Sequence, residues 1–186
     1  MKMLPALLLS LTITLILAGC DQSNRSSERK TDLIDFAVEA ASIQTIPEDF
    51  SFSIVWGVAD DCSYDSRTGK LIKDHYATHP EDYVAEYRLT DTERALIYER
   101  VKALNLDSLR ECYEPEGSKS KPAETIVLTV CWNGREKTIK LVDTCSLSSE
   151  KNPSVGDILP VCNEIITLLA ETDVWKALPE FETLYQ

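Results

Sequence analysis

Apolar residues crowd the first twenty positions, vanish over the next ten, and then return in short bursts whose period shifts between two and about 3.6. Asp21 to Lys30 is polar throughout and has no side chain to bury, which predicts a flexible tether. Leu33, Ile34, Ala37 and Ala41 have helical spacing, so a short helix is expected between Leu33 and Ile46. From Phe50 to Val58 the chain alternates and is rich in aromatic and β-branched residues, the pattern of a strand. Tyr64 to Lys73 places turn chemistry, Asp65 to Gly69, between two extended pieces and predicts a hairpin. Tyr83 to Leu89 is a further strand.

That strand runs into a marked helix start. Thr90 and Glu93 form a T-x-x-E capping box, with Asp91 in the first turn where negative charge suits the helix dipole. Ile97, Val101 and Leu104 then recur beside Leu96 on one stripe, predicting a helix from Asp91 to Leu104. After a loop containing Pro115, Gly117 and Pro122, two β-branched runs, Thr125 to Trp132 and Lys137 to Val142, flank Asn133-Gly134. Asn-Gly in that position specifies a two-residue hairpin, because the matching turn needs positive φ at both residues. Ser154 with Asp157 marks another helix start, with Pro160 in its first turn and Ile158, Cys162, Ile165 and Leu169 along one face. A last short helix covers Val174 to Leu178 and stops at Pro179. These elements predict a two-layer α+β domain, an antiparallel sheet of about five strands with two amphipathic helices on one face.

The N-terminal run is too short to span a bilayer comfortably, since a crossing helix needs roughly 20 apolar residues. Lys2, the apolar stretch and the small residues before Cys20 instead have the three-part layout of a secretory signal peptide. Leu17-Ala18-Gly19-Cys20 resembles the lipobox of bacterial lipoproteins. The resemblance implies cleavage between Gly19 and Cys20 and a diacylglyceryl thioether on Cys20, a lipid anchor that palmitate labelling reports. Buried acyl chains contribute about 0.8 kcal/mol per CH₂, so two chains hold a domain at a membrane without any protein surface. Asp21 resembles the inner-membrane retention signal of enteric lipoproteins, which applies in a two-membrane host. The expected organisation is residues 1–19 as signal peptide, 20–48 as lipidated cysteine and tether, and 49–186 as one globular domain.

Charge narrows the partners. The chain carries −12 at neutral pH, and loss of Lys2 leaves 18 basic against 31 acidic side chains. An anionic body is repelled by phosphate backbones and anionic headgroups, which argues against nucleic acid as a partner and against electrostatic docking on a membrane. The membrane is expected as a partner only through the anchor, with the protein or small-molecule partner open. Beyond Cys20 there are five cysteines, Cys62, Cys112, Cys131, Cys145 and Cys162, an odd set for an extracytoplasmic chain. Two disulfides among them with one spare thiol, or five small core residues, both fit. No C-x-x-C pair suggests zinc, and no cofactor is implied.

Catalytic signatures are sparse. His75 and His79 would share a face on a helix, but Pro80 disfavours a helix there. Asp60, Asp61 and Asp65 cluster near a turn without a calcium-loop spacing. S-x-x-K occurs at Ser27–Lys30, Ser118–Lys121 and Ser148–Lys151, lacking the companion motifs of acyl-transfer enzymes. No metal site and no catalytic residue is therefore assigned. Tyr76, Pro80 and Tyr83 are the residues expected at a ligand surface. Tyr64 to Leu71, Leu89 to Arg94 and Thr172 to Pro179 resemble stretches of uncharacterised small lipoproteins of Gram-positive bacteria, which implies an extracytoplasmic surface domain and no chemistry. The expectation is a non-enzymatic, lipid-anchored binding or accessory protein on the outer side of the cell membrane. The alternative is an extracytoplasmic hydrolase or metal-dependent enzyme with an acidic site at Asp60, Asp61, Asp65, His75 and His79.

Overall fold

The computed structural model describes residues 45–116, 122–149 and 152–182. The lipobox, Cys20, the tether and the expected helix near Leu33 lie outside the described residues, as do Ser27, Lys30, Ser118, Lys121 and Lys151.

The elements run β1 (Ser51–Val58), β2 (Cys62–Asp65), β3 (Lys70–Ile72), β4 (Val84–Glu86), α1 (Asp91–Ala103), β5 (Cys112–Tyr113), β6 (Glu124–Trp132), β7 (Arg135–Val142), α2 (Thr144–Ser149), α3 (Pro153–Ala170) and α4 (Asp173–Ala177). The seven strands form one sheet in the order β4-β3-β2-β1-β6-β7-β5. All neighbours are antiparallel except β5 and β7, which pair parallel through Cys112–Lys140 and Tyr113–Leu141. The α+β class expected from the sequence is present, but the sheet is mixed and has seven strands rather than about five. The additional edge strand, β5, is two residues long, too short to produce a readable alternation. Four helices are present among the described residues, two of them, α1 and α3, longer than two turns.

Strand alternation sends one side chain set into a single core. Phe52, Ile54 and Trp56 of β1, Tyr64 of β2, Ile126, Leu128 and Val130 of β6 and Ile139 and Leu141 of β7 are all buried. Ile97 and Val101 of α1 and Ile158, Cys162, Ile165 and Leu169 of α3 join the same cluster. Each such aliphatic side chain contributes about 1.5–3 kcal/mol by leaving water. Ser53, Val55, Ser63, Val127 and Thr129 occupy the other face and stay half-exposed, and Thr138 beside them is exposed. Helix α3 is long and apolar enough to cross a membrane by length and composition. Its stripe of Ile158, Cys162, Ile165 and Leu169 is nevertheless at most 1% exposed inside the domain.

Local signals act where the sequence places them, with two corrections. The capping box closes reciprocally: Thr90 Oγ1 accepts from Glu93 N at 3.2 Å, and Glu93 Oε2 accepts from Thr90 N at 2.9 Å. Asn133 and Gly134 have φ of 49° and 70° and join β6 to β7 with Trp132 opposite Arg135. Helix α3, however, begins at Pro153 with Asn152 as its cap, so Pro160 falls in the helix interior and not in the first turn. Tyr83 belongs to a 3-10 turn, Pro80–Tyr83, and the strand expected from it is shortened to Val84–Glu86.

Candidate functional site

The expected acidic site is divided between the two ends of β2. At one end, the β1–β2 turn is built from Ala59 and Asp60, both at positive φ, next to Gly57 at φ 99°. Asp60 is paired through Oδ1 with the Thr125 hydroxyl. Asp61 Oδ1 is buried without a hydrogen-bond partner, and burial, with the charge of Asp74 nearby, holds this carboxyl above the ordinary carboxylate range. His75 N donates to Asp61 O at 2.8 Å, and His75 Nε2 lies 2.9 Å from Ser63 Oγ. Asp65 sits at the other end of β2, about 13 Å away for four extended residues. There its Oδ1 accepts from the backbone of Arg67 at 2.8 Å and of Thr68 at 3.3 Å, which closes the β2–β3 turn. His79 turns outward and pairs with Glu81 at 3.5 Å. Among the described residues no three His, Cys, Asp or Glu side chains gather as a metal cluster.

The expected ligand surface is also divided. Tyr76 is 59% exposed and Pro80 is exposed, but Tyr83 is only 4% exposed. Its hydroxyl donates to Glu180 O at 2.9 Å, turning the ring inward against the C-terminal segment. All five cysteines are free thiols. Cys62 and Cys162 are core residues whose thiols are pushed up by burial, Cys162 to about 12. Cys112 and Cys145 are exposed.

The arrangement that sequence reasoning missed is a cleft of about 430 Å³ between the start of β1, the β2–β3 turn and the start of α1. Arg67, Arg88 and Arg94 line it. Their numbers are far apart, so no basic run announces them; antiparallel pairing of β1, β2 and β3 and the capped start of α1 bring them together. Arg94 NH2 donates to Pro47 O at 3.1 Å and Phe50 O at 3.0 Å, clamping the chain where it enters the domain. Arg67 NH2 donates to Ser51 Oγ at 3.2 Å. Arg88 Nε pairs with Glu86 at 2.9 Å, and its NH1 donates to Arg67 O. Among the described residues no carboxylate lies within ion-pair distance of Arg67 or Arg94. Asp49, on the same rim, is already committed: its carboxylate accepts from Asn133 N at 2.8 Å and Gly134 N at 2.6 Å. A guanidinium presents five donors in a planar fork. Arg67, which also reaches Cys131 Sγ at 3.5 Å, and Arg94 therefore each keep guanidinium donors that no described protein group uses, and both residues line the cleft.

A second cleft of about 340 Å³ adjoins the first across Phe50, which lines both. Its wall includes Tyr98, Lys102, Leu104, Leu106 and Trp132. Tyr98 meets Phe50 edge-on at 4.9 Å.

Comparison with known proteins adds no relationship. No family profile matches the chain. No curated protein matches it, and no solved structure does either.

Proposed function

We propose that this chain is an extracytoplasmic lipoprotein, tethered through Cys20 and a flexible segment, whose folded domain is a non-enzymatic binding module for an anionic ligand. The observation that carries the reading is the pair Arg67 and Arg94, two guanidinium groups with only neutral partners, lining one cleft in a chain of net charge −12. Unpaired donors in a concave site suit carboxylate or phosphate, which they meet bidentately. The cleft adjoins Glu48 and Asp49, the residues through which the tether joins the domain. The lipobox Leu17-Ala18-Gly19-Cys20 supports the N-terminal segment as the membrane attachment, and the stripe Ile158, Cys162, Ile165 and Leu169 of α3 is used in packing the core.

Two measurements test the reading. Palmitate labelling in a bacterial host is expected for the wild type and lost in Cys20→Ala; equal labelling of both refutes the anchor. Inorganic phosphate and acetate, titrated by calorimetry into the chain from Asp21 onward, are expected to bind, with binding weakened at least about tenfold in Arg67→Ala. No heat from either anion refutes the site.

A second reading is the hydrolase or metal-dependent enzyme, and one contact favours its hydrolase form. Ser63 Oγ at 2.9 Å from His75 Nε2 is nucleophile–base geometry, although Asp65 and His79 stand apart from it. A fluorophosphonate probe would label Ser63 in the wild type and fail on His75→Ala. Absence of wild-type labelling removes this reading.

A further inference from the structure

The two clefts share a wall. Helix α1 presents Arg94, Tyr98 and Lys102 at i, i+4 and i+8, one ridge about 12 Å long at ~1.5 Å per residue. Arg94 lines the arginine cleft, while Tyr98 and Lys102 line the apolar one. Phe50, 4% exposed, lines both, with Arg94 5.7 Å over its ring and Tyr98 edge-on against it at 4.9 Å. Both clefts are therefore mixed in lining and meet at Phe50. At one end are the guanidinium donors of Arg67 and Arg94 without carboxylate partners; at the other, Tyr98, Leu104, Leu106 and Trp132 supply an aromatic and aliphatic wall, with Lys102 and Asp107 at its edge, Asp107 already paired with Arg135. The apolar end alone falls in the usual range of small-molecule sites, about 300–1,000 Å³.

We infer that the two clefts form a single site for an anionic amphiphile, a phosphate-headed acyl lipid of the membrane to which the domain is tethered. This rests on the anion-binding reading above and adds the tail. The headgroup phosphate accepts from Arg67 and Arg94, and the first part of the acyl chain lies along Tyr98 and Trp132. Lys102, 6.0 Å over Tyr98, is the cation of this second cleft. The overall negative charge does not oppose this, because the neutralising donors are local to the cleft and the rest of the body stays in water. Complementarity selects the occupant: a water-soluble anion leaves the aromatic wall empty, and an uncharged detergent leaves the guanidinium donors unmet.

The test uses the chain from Asp21 onward, which carries every residue of the core, and dodecyl phosphate below its micelle concentration. Calorimetry is expected to show dodecyl phosphate binding at least about tenfold tighter than inorganic phosphate and than dodecyl maltoside. Arg67→Ala is expected to weaken both phosphates, while Arg88→Ala, whose guanidinium is paired with Glu86, is expected to weaken them less. Trp132→Ala is expected to weaken dodecyl phosphate alone, and the blue shift of tryptophan emission on binding is expected to vanish in Trp132→Phe. If dodecyl phosphate binds no tighter than inorganic phosphate, the tail site is overturned and the anion site stands. Equal binding of dodecyl maltoside overturns the headgroup recognition. If neither phosphate binds, both readings fall together.

Discussion

Lys73 Nζ lies 5.6 Å from the ring centroid of Trp175 and 5.5 Å from that of Phe181, with the side chain 5% exposed. The ammonium donates to Leu178 O at 3.4 Å. Beside it, Asp74 Oδ2 accepts from Glu182 N at 3.2 Å, and Thr78 N donates to Glu182 Oε2 at 2.7 Å. A buried cation and a buried carboxylate thus hold the segment after α4 across the end of β3. Trp175 of α4 in turn stacks on Trp56 of β1 at 5.6 Å, tying that helix to the core.

Lys73→Ala is therefore expected to cost about 2–3 kcal/mol, since it removes a desolvated cation–π contact and the packing of the stem. Lys73→Met, which keeps the stem, is expected to cost less. Chemical denaturation measures both, and equal stability of Lys73→Ala and wild type would refute the contact. Glu180 is not expected to matter through its charge: it sits 3.9 Å from Lys73 Nζ with a side chain 95% exposed.

Gly57 lies against Asp61. A Cβ at Gly57 would stand 2.0 Å from Asp61 Oδ1, on a backbone at φ 99°. Gly57→Ala is expected to destabilise by about 2 kcal/mol or more, combining a clash with a left-handed conformation that favours glycine. In the double variant with Asp61→Ala, the steric part is expected to return and the backbone part to remain. A thermal-melt double-mutant cycle showing strict additivity would contradict this.

Acid stability separates two carboxylates of opposite sign. The Gly134 and Asn133 amides hold Asp49 below its ordinary value of 3.8, so its folded form is depressed. Its contribution is present above the unfolded value and is lost as pH falls through the folded one. Asp49→Asn is expected to lower Tm near neutral pH and to converge with wild type in strong acid. Asp61 is raised, chiefly by burial, so its ionisation costs stability as pH rises past the unfolded value. Asp61→Asn is expected to gain in Tm near neutral pH and to lose that gain in acid.

The cap of α1 offers a simpler check. Thr90→Ala removes the acceptor for Glu93 N and half of a reciprocal pair. A loss of about 1 kcal/mol is expected by denaturant titration, with no change in the slope.

Much of the scaffold is legible in local sequence. The Asn133-Gly134 turn, the Thr90 capping box and the alternation in β1 and β6 are local devices whose partners lie within a few residues. The stripe of Ile158, Cys162, Ile165 and Leu169 was equally plain, although the exact start of α3 was not, because Asn152-Pro153 competes with Ser154 as a helix opening. β5 was invisible because two residues carry no period; its place depends on pairing with β7.

The candidate site was a different matter. Proximity along the chain suggested that Asp60, Asp61, Asp65, His75 and His79 act together, but an extended strand carries Asp65 to the opposite end of β2 from Asp61. Tyr83 was legible as an aromatic, but its burial follows from a hydroxyl bond to Glu180, nearly a hundred positions on.

Sequence alone, then, determined the longer strands, the stripes of the two long helices, the Thr90 cap and the tight turn, since backbone preference and side-chain period act over a few residues. Tertiary structure alone decided which charges meet. Arg67, Arg88 and Arg94 face one cleft because antiparallel pairing and helix placement close loops of dozens of residues, and no local pattern encodes that distance.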